Sequence, residues 1–88
     1  IPIVRVPPTY PRGPKQAGLE GYVTMAVTIQ PDGTVFNVSV IESNPKRLFD
    51  KAAIAAMKRW KFRPKIVDGN PVAQRARQTI EFKLGNST

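Results

Sequence analysis

Two runs of alternating residues on either side of a tight turn constrain the fold more than any other feature of this sequence. The first run extends from Tyr22 to Gln30 and the second from Thr34 to Glu42. A period of two is typical of strands that bury one face. The expected buried positions are Val23, Met25, Val27 and Ile29 in the first run and Phe36, Val38 and Val40 in the second. Because Pro31-Asp32-Gly33 favours a turn, the pattern predicts a β-hairpin.

A helix and a third strand are predicted after the hairpin. Asn44 and Pro45 are residue types that cap and open helices. Pro64 would end any helix that reaches it, and the two residues before it are expected to be extended already. Between them, apolar residues recur at spacings of three and four, which predicts one buried helical face: Phe49, Ala52, Ala53, Ala56, Met57 and Trp60. After a turn at 68–71, alternation resumes from Gln74 to Leu84 and predicts the third strand.

These elements predict a small α+β domain with a three-stranded sheet, antiparallel or mixed. A strand that follows a helical crossover normally joins the same sheet, so the last strand is expected beside the first, in the order 2-1-3. The main helix would cover one face, and a short helix starting near Pro14 and stopping at Gly18 would precede the hairpin. The last strand is then an edge whose outer amides and carbonyls lack a partner.

Composition argues against an enzyme. The 88 residues include no Cys and no His, which removes thiol nucleophiles, Ser-His pairs and zinc-finger ligands. The six carboxylates are scattered along the sequence, and no phosphate-binding loop or metal-ligand spacing is present. We therefore expect a non-enzymatic domain without cofactor or metal. Because the chain has no cysteine, its sequence does not indicate whether it functions in an oxidising or a reducing compartment.

Positive charge suggests an alternative function. The chain has 14 Lys+Arg against 6 Asp+Glu, a formal net charge of +8. Five cations lie at the end of the predicted helix and just beyond it: Lys58, Arg59, Lys61, Arg63 and Lys65. A solvated helix end is favoured over a phosphate-binding patch, because Trp60 and Phe62 have the spacing of core residues rather than of exposed stacking platforms. A basic nucleic-acid-binding module is the alternative.

The two ends of the chain are expected to be a strand-like or polyproline lead-in and a frayed tail. Four prolines (Pro2, Pro7, Pro8 and Pro11) predict an extended lead-in, and residues 85–88 are expected to fray. The chain begins at Ile1 rather than at Met, so we expect a piece of a longer protein whose anchor lies upstream.

A series of short motifs extends from Tyr10 to Leu84. They are Tyr10-Pro11, Leu19-Glu20-Gly21, Asp32-Gly33, Leu48-Phe49-Asp50, Ala53, Ala56, Trp60-Lys61-Phe62-Arg63-Pro64, Gly69-Asn70-Pro71-Val72, and finally Ile80, Phe82 and Leu84. In this order and spacing they resemble the C-terminal domain of TonB proteins. The resemblance implies a domain over residues 10–84, with residues 1–9 ending a proline-rich periplasmic spacer, in a protein anchored in the inner membrane.

The resemblance also implies a function. Domains of this family engage the TonB box, a short segment near the N-terminus of outer-membrane transporters for siderophores, vitamins or haem, and pass on work drawn from the proton gradient by ExbB and ExbD. The box adds as a strand beside the last strand of the sheet. The implied binding residues are Thr9 and Tyr10 at the approach, and Gln74, Arg75, Ala76, Arg77, Gln78, Thr79, Ile80, Glu81 and Phe82 on the edge.

The sequence is compatible with more than one interpretation of this edge. Tyr10 would either stack on a bound peptide or cover the end of the sheet. Arg75 and Arg77 would discourage aggregation, and would also admit an acidic or polar strand and repel a basic one. The same edge would allow two copies of the chain to pair as a homodimer, or would be filled by the lead-in, Ile1–Thr9.

Overall fold

The structure, a computed structural model, describes residues 2–84. Its helices are α1 (Arg12–Gln16) and α2 (Asp50–Met57). Its strands are β1 (Pro2–Val4), β2 (Gly21–Ile29), β3 (Val35–Asn44), β4 (Lys61–Phe62), β5 (Lys65–Val67), β6 (Asn70–Val72) and β7 (Gln74–Phe82). Ile1 and the expected frayed tail, 85–88, lie outside the described residues.

The main sheet has the order β3-β2-β7, and both pairings are antiparallel. This confirms the α+β class and the predicted order, with the first long strand at the centre. The buried residues of β2 alternate as predicted and face the helix side: Val23, Met25, Val27 and Ile29. Strand β2 pairs on both sides and is therefore the central strand of the sheet.

The turn between β2 and β3 forms as the sequence predicts. Gly33 has a φ of 89°, which favours glycine, and its amide donates to the carbonyl of Gln30 at 2.8 Å. The Asp32 carboxylate accepts hydrogen bonds from the Thr34 hydroxyl at 2.6 Å and from the Thr34 amide at 3.0 Å. The polar turn residues thus close the hairpin through their own side chains.

The predicted buried face of β3 is partly wrong. Val38 and Val40 pack against the core as expected, but Phe36 is 52% exposed and Val35 takes the inner position. The register with β2 shifts between the pairs Ala26↔Ser39 and Thr28↔Phe36, and Asn37 has a φ of 53°. Such an irregularity reverses the side-chain alternation, so Phe36 points away from the core.

Helix α2 begins later than predicted. Asn44 is not its N-cap but the last residue of β3, where it pairs with Tyr22. Residue Phe49 occupies the N-cap position, with no capping side-chain hydrogen bond. Strand pairing with β2 therefore outweighs the capping preference of Asn44.

Helix α2 also ends at Met57, well before Pro64. A turn at 58–59 follows the helix, and the chain is extended from Lys61, where the Phe62 amide of β4 donates to the carbonyl of Gly33 at 2.9 Å. The predicted helical face is otherwise confirmed by burial, with Ala52 partly buried and the rest in the core: Phe49, Ala53, Ala56, Met57 and Trp60.

Two small pairings and a short helix complete the fold. Strand β1 pairs with β4, and β5 pairs with β6 across Asp68-Gly69, both of which have positive φ. The sequence predicted the turn there but not its flanking strands. Helix α1 starts at Arg12, two residues before the predicted Pro14. Within residues 2–84, no helix is long and apolar enough to cross a membrane.

Candidate functional site

The outer edge of β7 is unpaired in the described part of the chain. Its only partner strand among residues 2–84 is β2, and the pairing runs without interruption from Gly21↔Phe82 to Ile29↔Gln74. Successive backbone groups of a strand point to opposite sides, so about half of those in β7 face away from β2. All nine predicted edge residues from Gln74 to Phe82 lie in this strand.

The two faces of β7 differ in chemistry. On the helix side, Ala76 and Gln78 are partly buried, whereas Ile80 and Phe82 are 4% and 1% exposed. The opposite face is exposed and carries, in order, Arg75, Arg77, Thr79 and Glu81. A strand added at this edge would therefore have one face beside apolar side chains and the other beside charges that change sign along the strand.

Side-chain contacts hold the exposed face of the sheet in register. Thr24 Oγ1 and Thr79 Oγ1 share a hydrogen bond at 2.8 Å, and the Tyr22 hydroxyl donates to Glu42 Oε2 at 2.8 Å. The hydrogen bond to Glu42 is the main cause of a raised pKa at Tyr22. The Thr24–Thr79 pair stabilises the position of β7 on β2, and the Tyr22–Glu42 pair stabilises that of β3 on β2.

The other sheet edge, β3, is irregular. Its register with β2 shifts twice, and Asn37 interrupts it with a positive φ. Bulges of this kind break the flat row of donors and acceptors that a further strand needs. Of the two edges, β7 is the one with an unbroken ladder.

Thr9 and Tyr10, the two predicted binding residues outside β7, have different surroundings. The Tyr10 ring packs edge-on against Phe49 at 5.5 Å and Phe82 at 5.7 Å, and its hydroxyl donates to the carbonyl of Leu19. Partial burial, and then the charge of Glu20, raise the pKa of Tyr10. These contacts favour the interpretation that Tyr10 covers the end of the sheet. Thr9 is exposed and borders α2 rather than the edge of β7.

The lead-in passes beside the edge of β7 without pairing with it. Its first residues form β1 and pair with β4, and the Trp60 indole Nε1 donates to the carbonyl of Val6 at 3.0 Å. A groove of about 380 Å³ lies between the lead-in and β7, and its lining includes two charged side chains, Arg5 and Glu81, as well as Trp60. Sequence reasoning missed this groove, because no local pattern indicates where the lead-in packs.

The basic cluster is a solvated surface. Its five cations, Lys58, Arg59, Lys61, Arg63 and Lys65, are all exposed. The interleaved aromatic residues are not, since Trp60 is 7% and Phe62 is 1% exposed. The cluster therefore lacks aromatic platforms on which unpaired bases could stack. Among the described residues, no group of three or more acidic side chains could hold a metal ion.

Sequence comparisons agree with the fold. Residues 6–84 match the family described as Gram-negative bacterial TonB protein C-terminal. The TonB protein of Pseudomonas aeruginosa is 39% identical over 83 residues, which cover 94% of this chain and 24% of that protein. The TonB protein of Vibrio cholerae is 38% identical over 80 residues, which cover 91% of this chain and 33% of that protein. The chain thus spans about a quarter to a third of the curated relatives it matches.

Solved structures show the same architecture. The solution NMR structure of the Pseudomonas aeruginosa TonB C-terminal domain aligns with a TM-score of 0.81 at 36% identity, covering 100% of this chain and 89% of that one. A structure of the TonB2 protein from Vibrio anguillarum aligns with a TM-score of 0.71 at 40% identity, covering 98% and 82%. Sequence and fold together show that this chain belongs to the TonB C-terminal domain family.

Proposed function

We propose that this chain is a non-enzymatic periplasmic domain that binds the TonB box of outer-membrane TonB-dependent transporters by strand addition at β7. The observation that carries the proposal is the uninterrupted edge of β7, which has no partner strand on its outer side within residues 2–84. Family membership supports a role in energy transduction. The comparisons do not support the nucleic-acid alternative, and the burial of Trp60 and Phe62 also argues against it.

The rest of the transducer follows from the family. ExbB and ExbD would act through an N-terminal part anchored in the inner membrane, with residues 1–9 as the end of a periplasmic spacer that packs on the domain of residues 10–84. The work transmitted would drive the uptake of siderophores, vitamins or haem. A net charge of +8 would add a long-range attraction to acidic residues near the transporter segment.

Strand addition suits a coupling that must engage and release. Its affinity comes from main-chain hydrogen bonds, which accept varied partner sequences. Each bond contributes about 0.5–1.5 kcal/mol net, so about six bonds would give a few kcal/mol before ordering costs. A ladder pulled along its length loads several bonds at once, which allows a modest affinity to transmit force.

The side chains of β7 would favour some partner segments over others, although the main-chain hydrogen bonds accept varied sequences. Arg75 and Arg77 lie exposed on the same face as Glu81. Cross-strand charge pairs stabilise a sheet when the signs are opposite and destabilise it when they are alike. An acidic or polar segment would therefore pair beside Arg75 and Arg77 more readily than a basic one.

An NMR titration tests the proposal. Uniformly ¹⁵N-labelled protein is titrated with a synthetic peptide from the N-terminus of a TonB-dependent transporter, and with a scrambled peptide of the same composition. We expect amide shifts concentrated on Gln74–Phe82 for the native peptide only. Shifts confined to β3 or to the basic cluster would contradict the proposed site. Sedimentation at the titration concentrations separates this binding from edge-to-edge homodimers.

A further inference from the structure

The hairpin formed by β5 and β6 has both of its faces in water. Every residue from Lys65 to Pro71 is exposed. Successive residues of a strand alternate between its faces, so Ile66 and Val67 point to opposite sides of the hairpin. These two aliphatic side chains are 58% and 43% exposed. Neither face of the hairpin contributes a residue to the hydrophobic core.

The hairpin leaves the domain at the end of the main sheet that holds the β2–β3 turn. Before the hairpin, Lys61 forms a bridge to Thr34, which directly follows that turn. After the hairpin, Gln74 pairs with Ile29, which ends β2. Strands β5 and β6 contact mainly each other. The exposed aliphatic side chains therefore lie on an arm that extends the domain at its turn end.

Positive charge is concentrated at the same end. The five cations of the basic cluster lead directly into the hairpin, and all are exposed. Within residues 2–84 the one ion pair joins Lys83 to Glu81, so no cation of the cluster belongs to an ion pair. Four of the six carboxylates lie near the start of β2, at the opposite end of the sheet: Glu20, Glu42, Asp50 and Glu81. The cluster and the hairpin thus face only Asp32 and Asp68 as carboxylates of their own end.

We propose that the β5–β6 hairpin and the basic cluster together bind the surface of an anionic phospholipid bilayer. Ile66 and Val67 enter the interfacial layer, where their burial removes apolar surface from water. The cations contact the lipid phosphates, since clustered Lys and Arg are attracted to anionic lipids. Apolar side chains flanked by cations are the combination that interfacial binding uses. This binding goes beyond the proposed docking at β7 and does not depend on it.

Other partners match this surface less well. A second copy of the chain would bring two basic clusters together, and their like charges repel. Nucleic acid would find aliphatic side chains instead of stacking platforms, because Trp60 and Phe62 are buried. A folded protein would need to receive Ile66 and Val67 on opposite faces of a narrow hairpin. A fluid bilayer surface deforms around both.

Co-sedimentation with vesicles tests the proposal. The protein is mixed with vesicles of phosphatidylcholine alone, or of equal parts phosphatidylcholine and phosphatidylglycerol. We expect binding to the vesicles that contain phosphatidylglycerol and none above background to phosphatidylcholine alone. Raising the ionic strength should weaken the binding without abolishing it, because salt screens the charges but not the aliphatic contact.

Two neutral substitutions separate the aliphatic contact from charge. Ile66→Gln changes the hairpin, and Leu19→Gln makes a similar change at an exposed aliphatic residue just before β2. Ile66→Gln should weaken binding to the anionic vesicles about fivefold, because it removes the apolar surface that gains from burial. Leu19→Gln should stay within about twofold of wild type. Both residues lie outside the core, so circular dichroism should show both variants folded.

Two double variants of equal net charge test the cations. Arg63→Gln with Lys65→Gln removes two charges of the cluster, and Arg12→Gln with Lys15→Gln removes two from α1. The first pair should weaken binding about twentyfold and the second by less than about threefold, because only charges near the lipid surface contribute strongly. Asp68→Asn removes the carboxylate in the hairpin turn and should strengthen binding about threefold, while Asn-Gly keeps the turn.

The outcomes are independent of the proposed function. An absence of binding to anionic vesicles, equal binding to both kinds of vesicle, or equal effects within either matched set would overturn the lipid surface. Binding that Ile66→Gln leaves unchanged would also overturn it, since charge alone would then account for the binding and any polyanion would serve. None of these results affects docking at β7, which the peptide titration measures without lipid.

Discussion

The ring of Phe49 stacks on the ring of Phe82, with centroids 4.4 Å apart and an interplanar angle of 18°. Phe49 precedes α2 and Phe82 ends β7, and Tyr10 contacts both rings edge-on. One aromatic cluster therefore joins the lead-in, the helix and the edge strand. The position of the candidate docking edge depends on this packing.

Phe82→Ala should destabilise the domain strongly. Phe82 is 1% exposed, and truncating a buried Phe to Ala costs about 3–5 kcal/mol of unfolding free energy. Phe36→Ala is the matched control, because Phe36 is 52% exposed, and it should cost less than about 1 kcal/mol. Urea unfolding followed by circular dichroism measures both. Equal losses for the two variants would show that the aromatic cluster does not anchor β7.

Gly21→Ala should also destabilise the fold, for a steric reason. A Cβ at Gly21 would collide with the Asn44 carbonyl oxygen and would lie 2.9 Å from Phe49 Cε2. Gly13→Ala, in α1, meets no heavy atom within 4 Å and should be neutral or stabilise by up to about 1 kcal/mol. Thermal melts compare the two variants. If Gly21→Ala had the melting temperature of wild type, the strands β2 and β3 would accommodate the added methyl group without loss of stability, which would contradict this steric role.

Long-range alternation made most of the main sheet predictable. Burying one face of a strand imposes a period of two over many residues, which located β2, most of β3, and β7. The strand order then placed β7 at an edge, and its outer side has no partner strand within residues 2–84. The irregularity at Asn37 escaped prediction because it depends on pairing between strands rather than on local residue type. For the same reason Asn44 reads as a helix cap, although its pairing with Tyr22 keeps it in β3.

The finer features of the site lie beyond local patterns. Strands β1 and β4 contain three and two residues, which is too short to show a period. The hydrogen bond from the Trp60 indole to the Val6 carbonyl joins two lining residues of the groove that are 54 residues apart in the sequence. Contacts at this separation follow from how the whole chain packs, and no single segment encodes them.

Low pH should destabilise the β2–β3 hairpin, because it protonates the Asp32 carboxylate. Hydrogen bonds from the Thr34 hydroxyl and then the Thr34 amide lower the pKa of Asp32 below its ordinary value of 3.8, with a smaller contribution from the charge of Lys61. Since these bonds favour the charged form, their stabilisation is complete above the ordinary pKa. It is lost as pH falls through the lowered pKa of the folded state.

Asp32→Asn removes this titration. The variant should lose less unfolding free energy than wild type between pH 7 and about pH 2, measured by urea unfolding at several pH values. Thr34→Val serves as a control that keeps the carboxylate but removes its hydroxyl donor, and it should shift the acid transition towards higher pH. An Asp32→Asn variant with the acid sensitivity of wild type would contradict this role for the turn.

Proline substitutions at Gln78 and Thr79 test whether β7 binds its partner through the backbone. Successive amides of a strand point to opposite sides, so one of these two donates to β2 and the other faces the unpaired edge. Proline removes the amide donor. The variant that loses the bond to β2 should unfold at lower urea, whereas the other should keep most of its stability.

The folded proline variant should bind the transporter peptide at least about tenfold more weakly than wild type, because it lacks a donor and obstructs the added strand. Thr79→Ala is the control for the side chain. It removes the hydroxyl that bonds to Thr24 but keeps the amide, so its affinity should stay within about twofold of wild type. If the folded proline variant bound as tightly as Thr79→Ala, docking would not use the backbone of β7, whatever the side chains on its two faces contribute.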